Sequence, residues 1–159
     1  MSAVLSIDAG TTGVTALVVD ERGDVVARGY REFAQHFPEP GWVEHDPDEI
    51  WHAVLHACRA ALAASPVAPV AVGVTDQRET AVLWDRQTLR APRPAIVWQD
   101  RRTTAICGSL RQHEARVKEL TGLRLDPYFT GTKLTWLAEH DPAAWAGVVE
   151  GSVAVGTVD

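Results

Sequence analysis

The chain has 159 residues, of which 46% are apolar and 23% charged, and its formal net charge is −6. That length suffices for one domain with its own core, and the apolar fraction excludes wholesale disorder. The acidic balance argues against a nucleic-acid binder and offers nothing to an anionic membrane. Two cysteines, Cys58 and Cys107, stand far apart in helix-like segments with no CxxC or Cys/His cluster, which predicts reduced, buried thiols. No run approaches the roughly 20 apolar residues of a membrane span. The first residues carry no basic region and read as a strand, not a signal peptide, so the expected compartment is the cytoplasm.

In chain order, residues 3–8 form a short apolar strand ending in a carboxylate, and residues 9–13 (AGTTG) form a turn. Residues 14–20 resume as a strand, 21–24 turn again, and 25–33 make a third strand. Two tight turns between adjacent strands predict an antiparallel meander. Residues 36–46 form a Pro/Gly-rich loop. A helix then starts with Asp46 as cap, Pro47 in the first turn and Glu49 at the capping-box position, and ends at Ser65-Pro66. Its expected apolar face is Ile50, Trp51, Val54, Leu55, Cys58 and Leu62. Residues 70–74 read as a buried-type strand, with further strands at 80–84 and 95–98. Residues 101–120 read as a helix interrupted by Gly108 and stopped at Gly122. Residues 133–139 predict another helix, Asp141-Pro142 opens one more, and 153–155 look like a strand. A strand meander followed by alternating helices and strands favours a mixed-sheet α/β domain.

Two segments carry chemistry. Residues 8–13 (DAGTTG) place a glycine turn between strands, where successive N–H groups form an anion-binding nest. Thr11 and Thr12 add hydroxyl donors, and Asp8 stands where it would hold Mg²⁺. The loop lacks the GxxxxGK[ST] pattern, and a strand follows it instead of a helix. By itself it also fits an ordinary hairpin turn. The second segment is TDQRET at residues 75–80, at a strand end, where α/β sheets place ligands. Arg78 offers a fork of donors and Glu79 offers acceptors, suited to vicinal hydroxyls of a polyol, though a surface ion pair fits as well. Trp98 is either a pocket wall or a core residue. Tyr128 offers a phenol, or is a turn tyrosine.

Together, IDAGTTG at 7–13, REF at 31–33, PGWVEHDPDEIW at 40–51, TDQRET at 75–80, AIVWQDRRT at 95–103, DPYFTGTK at 126–133 and GTVD at 156–159 resemble the FGGY carbohydrate kinases. The likeness runs over nearly the whole chain, and its specificity lies in the order and spacing of the motifs. QRE at 77–79, where xylulose-phosphorylating members resemble GQMHG, and WQDRR in place of WNDxR, look more like the members that phosphorylate glycerol. The resemblance implies an actin-like, ribonuclease-H-like fold and ATP-dependent phosphorylation of glycerol to glycerol 3-phosphate with Mg²⁺. It implies that Gly10, Thr11, Thr12 and Gly13 touch nucleotide phosphates and that Asp8 serves the metal. It further implies that Arg78, Glu79 and Tyr128 bind glycerol hydroxyls while Trp98 packs on the carbon chain.

Two departures accompany the resemblance. Thr15 stands where the family often has an arginine, which puts one nucleotide contact in doubt. The family's catalytic aspartate and nucleotide-binding C-terminal lobe lie beyond residue 159. Residues 1–159 are therefore expected to be a partial, truncated N-terminal domain, inactive alone and prone to self-association, from a family that commonly forms homo-oligomers. The other readings are a kinase for a different sugar or polyol, a dead fragment, or an actin-like or chaperone-like ATPase module. Arg78, Glu79 and Trp98 argue against the last.

Overall fold

The computed structural model describes residues 2–158; Met1 and Asp159, the last residue of the GTVD motif, lie outside the described residues. In chain order the elements are β1 (Ala3–Ala9), β2 (Gly13–Asp20), β3 (Val25–Glu32), β4 (Glu44–His45), α1 (Pro47–Ala64), β5 (Ala71–Asp76), β6 (Val82–Asp85), β7 (Ala95–Ile96), α2 (Thr104–Ser109), a 3₁₀ turn (Arg111–His113), α3 (Glu114–Thr121), α4 (Thr130–His140), α5 (Pro142–Glu150) and β8 (Val153–Gly156). They fall into two units, residues 2–35 with 46–77, and residues 36–45 with 78–158.

The first unit is a four-stranded sheet in the order β3-β2-β1-β5. The meander is antiparallel, and β5 joins β1 in parallel. Alternation along β1 and β2 turns Leu5, Val14, Ala16 and Val18 to one face, where Ala53, Ala57 and Ala61 of α1 cover them. The helix begins as expected: the Asp46 side chain accepts the Asp48 N–H and Pro47 fills the first turn. Its buried face differs from the expected one. Ile50 and the three alanines are buried, whereas Trp51 and Leu62 are exposed. The reason is the closeness of helix and sheet. A Cβ built on Gly29 of β3 would lie 2.0 Å from the Ala57 carbonyl oxygen and 2.9 Å from the Ala61 nitrogen, so at this crossing only alanine-sized groups fit beneath α1.

The strand expected to be buried at 70–74 is a second correction. Val70, Val72 and Val74 are all more than half exposed. β5 is the last strand of the sheet, and α1 lies against β2 and β3, leaving β5 uncovered within this unit.

The second unit is built on short pairings. β4 pairs with β7 and β6 with β8, both antiparallel, while Ala81 bridges to Ile96. Ala81, Leu83, Ile96 and Leu137 form its apolar centre, packed by Leu134, Trp136, Trp145, Val153 and Val155. Arg102 is the polar counterpart. Its fully buried guanidinium bonds Asp100 and Glu44, each at 2.8 Å, and lies 3.7 Å over the Trp42 ring and 4.8 Å from Trp136. Asp100 also accepts the Val43 N–H at 2.7 Å.

Strand limits at 80–84 and 95–98 shift by a few residues, and the last long helix starts at Thr130, three residues before the predicted start. The single helix expected over 101–120 is instead α2, the 3₁₀ turn and α3, broken at Leu110 (φ −88°, ψ −1°). Cys107 is the one buried residue α2 contributes, and α3 buries none. Without a continuous apolar stripe, nothing holds a long helix straight against its neighbours.

Candidate functional site

In the first unit, β1 and β2 close the hairpin with Ala9 opposite Val14, leaving residues 10–13 as its loop. Neither Gly10 nor Gly13 has positive φ, so these glycines serve by lacking a side chain. A Cβ on Gly13 would come within 2.8 Å of the Arg31 carbonyl oxygen and 2.9 Å of the Tyr30 hydroxyl. Gln77, just past β5, steadies the loop. Its N–H donates to the Ala9 carbonyl at 2.9 Å and its side-chain amide to the Gly10 carbonyl at 3.4 Å. Nothing in the residue pattern alone assigns Gln77 this task. Its signal was only that an uncharged amide followed a strand paired beside the loop.

Asp8 is exposed at the end of β1, on the face away from α1. It stands in register with Thr15 on one side and Thr75 on the other. Thr12 is exposed, and Gly10 and Thr11 are half-buried. The hairpin therefore gathers Asp8, Gly10, Thr11, Thr12 and Gly13, with Thr15, the departing position, directly across from Asp8. Among the described residues no group of three His, Cys, Asp or Glu could hold a metal alone. Mg²⁺, which keeps several waters and takes one or two carboxylates plus phosphate oxygens, fits an exposed Asp8 beside a loop of glycines and hydroxyls.

In the second unit, Glu79, Trp98 and Tyr128 come together. The Trp98 and Tyr128 rings meet edge to face at 5.7 Å, and Tyr128 meets Phe129 at 5.0 Å. The Tyr128 N–H donates to the Asp126 carboxylate, which fixes the turn before α4. Glu79 is a non-glycine residue in the left-handed region at φ 67°, a conformation costing about 1–2 kcal/mol. Thr130 offsets that cost by donating its N–H and hydroxyl to Glu79 Oε2, at 2.8 and 2.7 Å. Arg78 is exposed and, among the described residues, bonds to none. The expected alternative of an Arg78–Glu79 ion pair is not formed among the described residues.

Sequence reasoning missed Lys133. Its side chain is fully buried on α4, and Nζ donates to the carbonyls of Glu79 and Tyr128. Burial lowers its pKa from 10.5 to about 8, with Glu79, Asp100 and Asp126 pulling the other way. Its signal lay in the sequence as a lysine three residues into an otherwise uncharged helix start, but only the fold shows what it holds.

A β-meander with a glycine- and threonine-rich hairpin loop, carried in one chain with a grouping of Glu79 and the Trp98 and Tyr128 rings, describes a sugar-kinase-type domain. Residues 3–156 match the FGGY family of carbohydrate kinases, N-terminal domain, and the chain belongs to that family. Within it, the chain is similar to glycerol kinases. That of Aromatoleum aromaticum is 51% identical over 164 residues, covering 100% of this chain and 33% of that protein. That of Ralstonia nicotianae is 48% identical with the same coverage. The chain thus spans about a third of the length of the curated relatives it matches. Among solved structures, Plasmodium falciparum glycerol kinase with ADP superposes with a TM-score of 0.91 at 28% identity, covering 99% of this chain and 33% of that one. A xyloylose kinase from Brucella ovis gives 0.82 at 34% identity over 89% of this chain and 30% of that one. These likenesses bear out the mixed-sheet α/β fold of the FGGY type. No helix among the described residues is long and apolar enough to cross a membrane.

Proposed function

We propose that the protein carrying this chain phosphorylates glycerol with ATP, and that residues 1–159 are a partial N-terminal domain of it. The observation that carries this reading is the grouping of Glu79 with Trp98 and Tyr128, beside the exposed Arg78 that precedes Glu79 in the chain. It combines an unengaged guanidinium, a carboxylate with one oxygen to spare and an aromatic wall, in a chain about half identical to glycerol kinases over its full length. Vicinal hydroxyls need a donor and an acceptor side by side, and the carbon chain needs a flat apolar surface; these residues supply both.

The roles follow from chemistry. Arg78 donates to and Glu79 Oε1 accepts from neighbouring hydroxyls of the polyol, Tyr128 adds a phenol, and Trp98 packs against the carbons. The loop of Gly10, Thr11, Thr12 and Gly13 would hold nucleotide phosphates, and Asp8 would hold Mg²⁺ directly or through water. Mg·ATP supplies the transferable phosphoryl group and neutralises its charge; the chain's own residues bind, orient and exclude water. The base that takes the hydroxyl proton is an aspartate outside residues 1–159, as is the lobe that holds adenine. The cytoplasm is the proposed compartment and a homo-oligomer the proposed assembly.

An ADP-release assay on the protein carrying this chain, with glycerol, xylulose and gluconate in parallel, tests the reading. A clear preference for glycerol is expected, with loss of glycerol binding in Arg78→Ala. Preference for xylulose would move the protein to another branch of the family, the direction the Brucella ovis likeness points. The 159-residue chain by itself is expected to turn over no glycerol.

A further inference from the structure

We infer that Lys133 and Thr130 are positioning residues for the polyol: from one turn of α4 they lock the Glu79 loop and the Tyr128 loop into a single ligand frame. The inference rests on the proposed function of that cluster and adds to it two residues outside the expected ligand set.

A buried ammonium is costly, and an apolar side chain of the same length would fill the space without that cost. The chemistry at Nζ shows what the charge does. Among the described residues it makes no ion pair at hydrogen-bond distance; it bonds the main-chain carbonyls of Glu79 and Tyr128, which lie 49 residues apart in sequence. One carbonyl belongs to the residue held in left-handed conformation, and the other to the residue whose ring faces Trp98. Thr130 completes the frame three residues earlier on the same helix. Both of its donors fall on Glu79 Oε2, and its hydroxyl also reaches the Glu79 carbonyl at 3.3 Å. Oε1 is thereby left for a ligand hydroxyl, with the carboxylate unable to rotate away. A helix is a stiffer mount than the loops it ties, and a displacement of about 1 Å in a positioning group costs up to about a hundredfold in rate.

The test uses the protein carrying this chain, with glycerol and ATP varied separately. Lys133→Met keeps the length and removes the donors. It is expected to raise KM for glycerol about tenfold or more while KM for ATP stays within about twofold. Lys133→Gln, which keeps an N–H₂ group, should recover part of the loss. A lysine that only supports the fold would lower the amount of active protein, so apparent kcat would fall with both KM values unmoved; that result overturns the inference. Should Lys133→Met fail to fold, Thr130→Val carries the same expectation through Oε2, and an unchanged glycerol KM there overturns it equally. A wild-type protein that does not saturate with glycerol overturns the proposed function itself, whereas wild-type saturation with unmoved variants overturns only the positioning role.

Discussion

The first hairpin loop and the Glu79–Tyr128 grouping, the proposed phosphate and polyol sites, are built by different means. The hairpin loop hangs on continuous main-chain pairing between β1 and β2, has no room for a side chain at Gly13, and is steadied from outside the meander by Gln77. The cluster has almost no ladder beneath it. Glu79 and Tyr128 are drawn together by Lys133 and Thr130, and the 98–102 segment is anchored by Arg102 on Asp100 and Glu44. Main-chain pairing between neighbours in sequence forms cheaply, whereas side-chain links across some fifty residues must first meet the loop-closure entropy. The difference predicts where each region breaks.

Arg102→Ala should do the most damage. It leaves Asp100 buried without its cation, leaves Glu44 only the 3.5 Å pairing with Arg93, and opens a gap beside the Trp42 and Trp136 rings, at a cost of about 3–5 kcal/mol. Urea titration followed by tryptophan fluorescence measures it. A loss below about 1 kcal/mol would show that the second unit does not depend on its side-chain links. Gly29→Ala is the matching blow to the first unit. The added methyl has no room against the Ala57 carbonyl, and a loss of about 2–3 kcal/mol is expected by the same titration.

Lys133 gives a smaller, pH-dependent effect. Below about pH 8 the ammonium is charged in both folded and unfolded chains and its burial cost is fully present. Between about 8 and 10.5 the unfolded chain keeps a proton the folded one has lost, so this group makes stability rise with pH. The slope is at most about 1.4 kcal/mol per pH unit. Lys133→Met should remove that contribution, which a series of urea titrations across this range compares directly.

The smallest stability effects belong to Asp8 and Arg78, the two exposed groups to which the proposed function gives ligand roles. Asp8→Asn and Arg78→Ala should each shift stability by no more than about 0.5 kcal/mol. Binding should change sharply and separately: Asp8→Asn weakens nucleotide in the presence of Mg²⁺, and Arg78→Ala weakens glycerol. Calorimetric titration of each ligand separates them, and a loss of both ligands in either variant would undo the division of labour.

The legibility of the sequence followed the same division. The meander, the first hairpin loop and the start of α1 were readable, because turn residues and alternation act over a few neighbours. The face of α1 was not, since Ala53, Ala57 and Ala61 are chosen by the absence of a side chain at Gly29, a residue on another element. The 101–120 helix was misread for a related reason: helical propensity is local, while the buried stripe that keeps a helix whole comes from neighbours elsewhere in the chain.

What the sequence determined by itself was the family, through motif order, and the residue types able to meet phosphate and hydroxyls. It named Glu79 as an acceptor but not its left-handed backbone, nor that Thr130 takes one of its two oxygens. Only the tertiary structure decided that, because the lysine and threonine that hold Glu79 reach it across some fifty residues, a distance at which sequence spacing carries no geometry.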